Sequence, residues 1–134
     1  MPHTGSCLCG QTTIVLESTH PEQIVCHCTD CRQTSGSAFS TNVLAPKSGV
    51  KITGPVKEYS IKAASGNTVT RVFCGNCGSA ISHLTAAFGD AQAIQTGNFP
   101  DFAQVPITTE LFVKDRWTGL GPISGAAQVP AMPV

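Results

Sequence analysis

The sequence predicts a mainly β fold, an antiparallel sheet domain with little helix, organised around clustered cysteines. Three observations carry that reading. Apolar and β-branched residues come in brief runs separated by Gly, Pro, Ser and Asn, the pattern of short strands joined by tight turns. No stretch keeps a helical period for more than about two turns. Seven cysteines in a chain of 134 residues fall into close groups, with glycine beside the Cys7/Cys9 and Cys74/Cys77 pairs, and cysteines grouped in this way bind metal more readily than they merely fill a core.

The length suits one ordinary domain, able to bury roughly two-thirds of its unfolded surface without crosslinks. Eight basic and eight acidic residues give a formal charge of zero. That balance offers no electrostatic footprint for nucleic acid or an anionic membrane surface. The start, Met1-Pro2-His3-Thr4-Gly5-Ser6, has neither a basic segment nor an apolar one, and no run approaches the roughly eighteen apolar residues of a membrane helix. A cytoplasmic location is therefore expected. There thiols stay reduced, which favours metal binding or catalysis over disulfides, and an odd count of seven agrees.

Taken in order, Gly5 to Gly10 forms half of a metal site. Cys7 and Cys9 share a face if extended, and the chain must curl to bring their sulfurs to the roughly 3.8 Å separation of thiolates on tetrahedral zinc. Gln11 to Glu17 alternates as a strand. Ser18-Thr19-His20-Pro21 is a turn, and Ile24-Val25-Cys26 is a short strand entering Cys26-His27-Cys28-Thr29-Asp30-Cys31-Arg32. One or two helical turns are expected to about Ser35, capped by Thr29 or Asp30 and stopped by Gly36. Strands follow at Ala38 to Ala45, Val50 to Thr53, Val56 to Ile61 and Thr68 to Phe73. Phe73-Cys74-Gly75-Asn76-Cys77-Gly78-Ser79 is a tight loop. Further strands fit Ala80 to Leu84, Ala91 to Thr96 and Thr109 to Val113. Residues 1–118 are expected to form the domain, with 119–134 an uncharged tail containing Pro122, Pro130 and Pro133, either an extended strap or mobile.

The seven cysteines divide into a closed site and an open one. Cys7, Cys9, Cys74 and Cys77 supply the four thiolates of a tetrahedral structural site, with zinc first and iron second. Cys26, Cys28 and Cys31 supply three, which leaves a coordination position free unless Asp30 or His83 fills it. Three thiolates on a divalent zinc leave a net charge of minus one, so the metal is a weak Lewis acid and hydrolysis by bound hydroxide is disfavoured. An outside thiol, in contrast, binds such a centre readily and loses its proton. The expected chemistry is attack of a thiol on carbon. His27 and His83 are candidate proton carriers, Arg32, Arg71 and Arg116 candidate carboxylate holders, and Trp117 a core residue or a lid.

With these residues in place the chain resembles the glutathione-dependent formaldehyde-activating family, which shares its fold with centromere protein V. The matching segments are Gly5-Ser6-Cys7-Leu8-Cys9-Gly10, Cys26 to Arg32, Thr34-Ser35-Gly36-Ser37-Ala38-Phe39 and Phe73 to Ser79, in the family's order. The resemblance implies a compact Mss4-like β architecture with two zinc ions, one structural on Cys7, Cys9, Cys74 and Cys77, the other labile and catalytic on Cys26, Cys28 and Cys31. It implies a carbon-sulfur lyase or synthase that joins glutathione, or another small thiol, to an electrophile, formaldehyde in the family's named reaction. The alternative is a non-enzymatic zinc-stabilised module that binds a protein partner.

Overall fold

The structure, a computed structural model, describes residues 3–132. Among the described residues, eleven strands and one α-helix, besides five short 3-10 turns, appear in chain order: β1 (His3–Ser6), β2 (Thr13–Leu16), β3 (Gln23–Cys26), α1 (Thr29–Ser35), β4 (Ser40–Pro46), β5 (Val50–Thr53), β6 (Val56–Lys62), β7 (Thr68–Cys74), β8 (Ala80–Thr85), β9 (Ala91–Gln95), β10 (Ile107–Leu111) and β11 (Ala127–Gln128). The mainly β class expected from the sequence is what the chain adopts. Two compact units share it, residues 1–19 with 44–103, and residues 20–43 with 104–134. Among the described residues no helix is long and apolar enough to cross a membrane.

In the first unit, β2 pairs antiparallel with β1 on one side and β5 on the other. The alternation read from Gln11 to Glu17 is realised here, since Ile14 and Leu16 are buried while Thr13 is exposed. β1 escapes the periodicity argument, because His3-Thr4-Gly5-Ser6 has no apolar alternation. It becomes a strand by pairing, and Gly5 is required there: a Cβ would come within 2.6 Å of the Asn98 carbonyl oxygen. The strands β6, β7, β8 and β9 form an antiparallel meander. Ile81, Ile94, Val72, Ala93, Phe99 and Phe102 are buried in this unit.

In the second unit, β3 pairs antiparallel with β4 and parallel with β10, and β10 pairs parallel with the short β11. Two parallel pairings within a mainly antiparallel fold require long connections, and here these are the 80 residues between Cys26 and Ile107 and the run from Leu111 to Ala127. β10 lies two residues earlier than the expected Thr109 to Val113, because Phe112 takes a left-handed φ of 55° and ends the strand. The segment after Trp117 is a strap: β11 and the Ile123 N–H both engage β10. Its last two residues, Pro133 and Val134, lie outside the described range.

Candidate metal centres

The first unit brings Cys7, Cys9, Cys74 and Cys77 together, with all four sulfurs within 4.8 Å of one another. Cys7 follows β1, and a turn closed by the Gly10 N–H on the Cys7 carbonyl swings Cys9 back beside it. Gly10 has φ of 81°, which explains the glycine. Cys74 ends β7, and the Gly78 N–H returns to its carbonyl in a similar turn, with Gly78 at φ of 80°. The Leu8 N–H donates to Ser79 Oγ at 3.1 Å and stitches the two loops together.

The sulfur spacing tests the fit to a metal. Cys7 and Cys9 sulfurs are 3.6 Å apart and Cys9 and Cys74 sulfurs 3.8 Å apart, near the roughly 3.8 Å edge of a tetrahedron with zinc–sulfur bonds of about 2.3 Å. Backbone N–H groups already point at these sulfurs, Thr12 at Cys7 and Asn76 at Cys74. Donation by the Ser79 hydroxyl, then by the N–H groups of Ser79 and Cys9, holds the Cys77 thiol down to about 5. The donor set suits zinc.

The second unit brings Cys26, Cys28 and Cys31 together, again with sulfurs within 4.8 Å. Cys26 ends β3. Cys28 is the N-cap of α1, and its sulfur accepts the Cys31 N–H at 3.3 Å. The expected caps, Thr29 and Asp30, are instead the first helical residues, because the sulfur occupies the capping position that their side-chain oxygens would fill. The helix ends as expected at Gly36, which is left-handed with its N–H on the Arg32 carbonyl. Among the described residues no fourth Cys, His, Asp or Glu donor joins the trio, so neither Asp30 nor His83 belongs to it. The nearness of Cys28 and then Cys31, with burial, pushes the Cys26 thiol far above its ordinary range. Thiols crowded in this way are stabilised as thiolates by a cation placed among them. Cys26 and Cys31 are buried and Cys28 is half-buried, so solvent reaches the trio on the Cys28 side.

His27, between two of these cysteines, is turned to another partner. Its Nε2 lies 2.8 Å from Glu110 Oε1, and the pair is 2% and 1% exposed. Glu110 also accepts from the Ile123 N–H at 2.8 Å and from Gln128 Nε2 at 2.6 Å, and Arg116 stands 3.4 Å away. Burial opposes ionisation of Glu110, but Gln128, Ile123, His27 and Arg116 together outweigh it and hold the carboxyl down to about 2. Arg116, a candidate for holding a substrate carboxylate, is thus engaged with Glu110 and Gln128. Arg32 donates to the Asp115 carbonyl at 2.9 Å. Arg71 and His83 face each other across β7 and β8. Trp117 is 52% exposed and is not a core residue. Sequence reasoning passed over Glu110; the signal was a lone acidic residue inside the β-branched run Ile107-Thr108-Thr109-Glu110-Leu111.

Comparison with known proteins adds three findings. A family model described as glutathione-dependent formaldehyde-activating enzyme matches residues 2–115. A protein of Schizosaccharomyces pombe named an uncharacterized lyase is 30% identical over 79 residues, 59% of this chain and 55% of that protein's length. A crystal structure of a Rhodobacter sphaeroides protein has the same fold, with a TM-score of 0.60 at 19% identity over 78% of this chain and 99% of that one.

Proposed function

Because the chain belongs to the glutathione-dependent formaldehyde-activating enzyme family, we propose that it is a zinc-dependent carbon-sulfur lyase or synthase acting on adducts of glutathione or a related thiol. The observation that carries this is the convergence of Cys26, Cys28 and Cys31 with no fourth donor among the described residues. The reaction adds the S–H of glutathione across the C=O of formaldehyde. A carbon-sulfur bond forms, the carbonyl π bond breaks, and the proton that leaves sulfur is matched by one taken up at oxygen. Nothing is oxidised or reduced, and the reverse direction is the lyase. The Schizosaccharomyces pombe relative's name, a lyase, supports the reaction class.

Cys26, Cys28 and Cys31 would hold the zinc of this site, and Cys7, Cys9, Cys74 and Cys77 a second, structural one. When bound by three thiolates, zinc supplies a free position at which an incoming thiol is kept as a thiolate at neutral pH. The chain's own part is to keep the trio converged and one side open. Cys26 and Cys31 form the buried side, and the half-buried Cys28 leaves solvent access for the thiol. His27 does not crowd that space, since Glu110 holds its ring.

The test is the rate of exchange between glutathione plus formaldehyde and S-hydroxymethylglutathione, followed by NMR magnetisation transfer. The native protein should accelerate exchange above the spontaneous rate, and Cys28→Ser should reduce that acceleration by at least about a hundredfold, about 2.7 kcal/mol of barrier. Exchange at the spontaneous rate with native, zinc-loaded protein would remove formaldehyde as the substrate.

A further inference from the structure

We infer that Glu110 is a positioning residue for the three-cysteine site, acting through His27, and that the strap through Ile123 and Gln128 belongs to the same device. The inference rests on reading Cys26, Cys28 and Cys31 as a metal site, and it concerns how this chain holds those ligands in place.

A carboxylate that is 1% exposed is an expensive way to fill a strand position. Burying it costs several kcal/mol that an apolar side chain would avoid, unless its oxygens are fully paired. Here they are, by four groups drawn from three segments: His27 Nε2, the Ile123 N–H, Gln128 Nε2 and Arg116. The partner of consequence is His27, because its neighbours on both sides are cysteines of the trio. Its main-chain N–H donates to the Leu111 carbonyl at 3.0 Å while its ring meets Glu110. Residue 27 is therefore held at backbone and side chain by consecutive residues of β10.

In extended chain, fixing the face of one residue fixes the opposite face for its two neighbours. Pinning His27 toward Glu110 thus aims Cys26 and Cys28 away from it. The third cysteine is braced in the same manner, since α1 carries both Cys31 and Arg32, and Arg32 donates to the Asp115 carbonyl. All three ligands lean on residues 110 to 115, and the strap supports residue 110 from the other side. Through Phe39, whose ring meets the His27 ring edge-on at 5.5 Å, packing adds to the restraint.

Chelator competition separates this from ordinary core packing. Protein loaded with two equivalents of zinc is mixed with excess chromophoric chelator, and the two releases are timed, the four-cysteine site serving as internal reference. Glu110→Gln places an amide N–H₂ among donors. It should speed release from one site on the order of tenfold or more while the other keeps its native rate, the scale typical of groups that orient metal ligands. His27→Gln should act similarly, and the double variant should be no worse than either single, since one interaction is lost in all three. Gln128→Ala alters an exposed residue and should fold; it should speed the same release by a smaller factor, which keeps the test decisive if Glu110→Gln does not fold. In cobalt-loaded protein the thiolate charge-transfer band of one site alone should shift. Native release rates in Gln128→Ala and Glu110→Gln, or equal acceleration at both sites, would overturn the inference. A native protein that binds a single zinc would instead remove the three-cysteine reading on which it stands.

Discussion

At the scale of single residues, backbone proximity decides more than side-chain identity near the four-cysteine site. Gly54 has φ of 139°, and a Cβ there would come within 2.4 Å of the Gln11 carbonyl oxygen and 2.6 Å of Thr12 Cα. These backbone atoms lead directly into the Thr12 N–H that donates to the Cys7 sulfur. Moving them to admit a methyl group displaces a ligand as well as a strand. Gly54→Ala should therefore cost about 3 kcal/mol, combining overpacking with an unfavourable φ. Gly66 offers the control: its φ is 90°, yet a Cβ there meets nothing within 4 Å, so Gly66→Ala should cost only about 1 kcal/mol from conformation. Denaturant midpoints at unchanged slope measure both, and equal losses would show that close approach is not what Gly54 provides.

At the scale of elements, α1 and the metal loop are one object, because the same sulfur caps the helix and belongs to the trio. Cys28 accepts the Cys31 N–H at 3.3 Å, a role that a serine oxygen also performs. In protein carrying zinc at the four-cysteine site alone, Cys28→Ser should therefore leave stability nearly unchanged, while Cys28→Ala should lower it by about 1 kcal/mol. In metal-loaded protein both should lose the second metal. Chemical denaturation with one and with two equivalents of zinc separates the two roles, and equal one-zinc stabilities of Cys28→Ser and Cys28→Ala would show that the sulfur is no cap. The same element shows what the sequence makes legible. Cysteine spacing, the Gly36 stop and the alternation in β2 are local patterns, and the chain obeys them. The residue that steadies the loop is not local: Glu110 stands 83 positions from His27 and reaches it through a parallel pairing that no turn announces. β10 slipped by two residues for a similar reason, since nothing in the letters around Phe112 signals a left-handed backbone.

At the scale of the whole molecule, each compact unit carries its own cysteine cluster, and the two clusters close chain segments of very different length. Cys9 and Cys74 are 65 positions apart, so a metal held by Cys7, Cys9, Cys74 and Cys77 ties distant loops of the first unit. Structural zinc contributes on the order of 10–16 kcal/mol to folding in small domains, as much as a typical domain's entire net stability. Cys26 to Cys31 is instead a run of six residues, already shaped by the end of β3 and the first turn of α1, so a metal there closes almost nothing that the backbone has not closed. Loss of the first metal should unfold the first unit, whereas loss of the second should leave secondary structure intact. Stepwise chelation with hydrogen exchange read by mass spectrometry checks this. The first equivalent of zinc should leave without change in the amide protection of β7 and β8. Removal of the second should coincide with collapse of protection across β1, β2, β7 and β8. If protection in those strands is lost with the first equivalent, the four-cysteine cluster is the labile site and the division of roles between the two clusters is reversed.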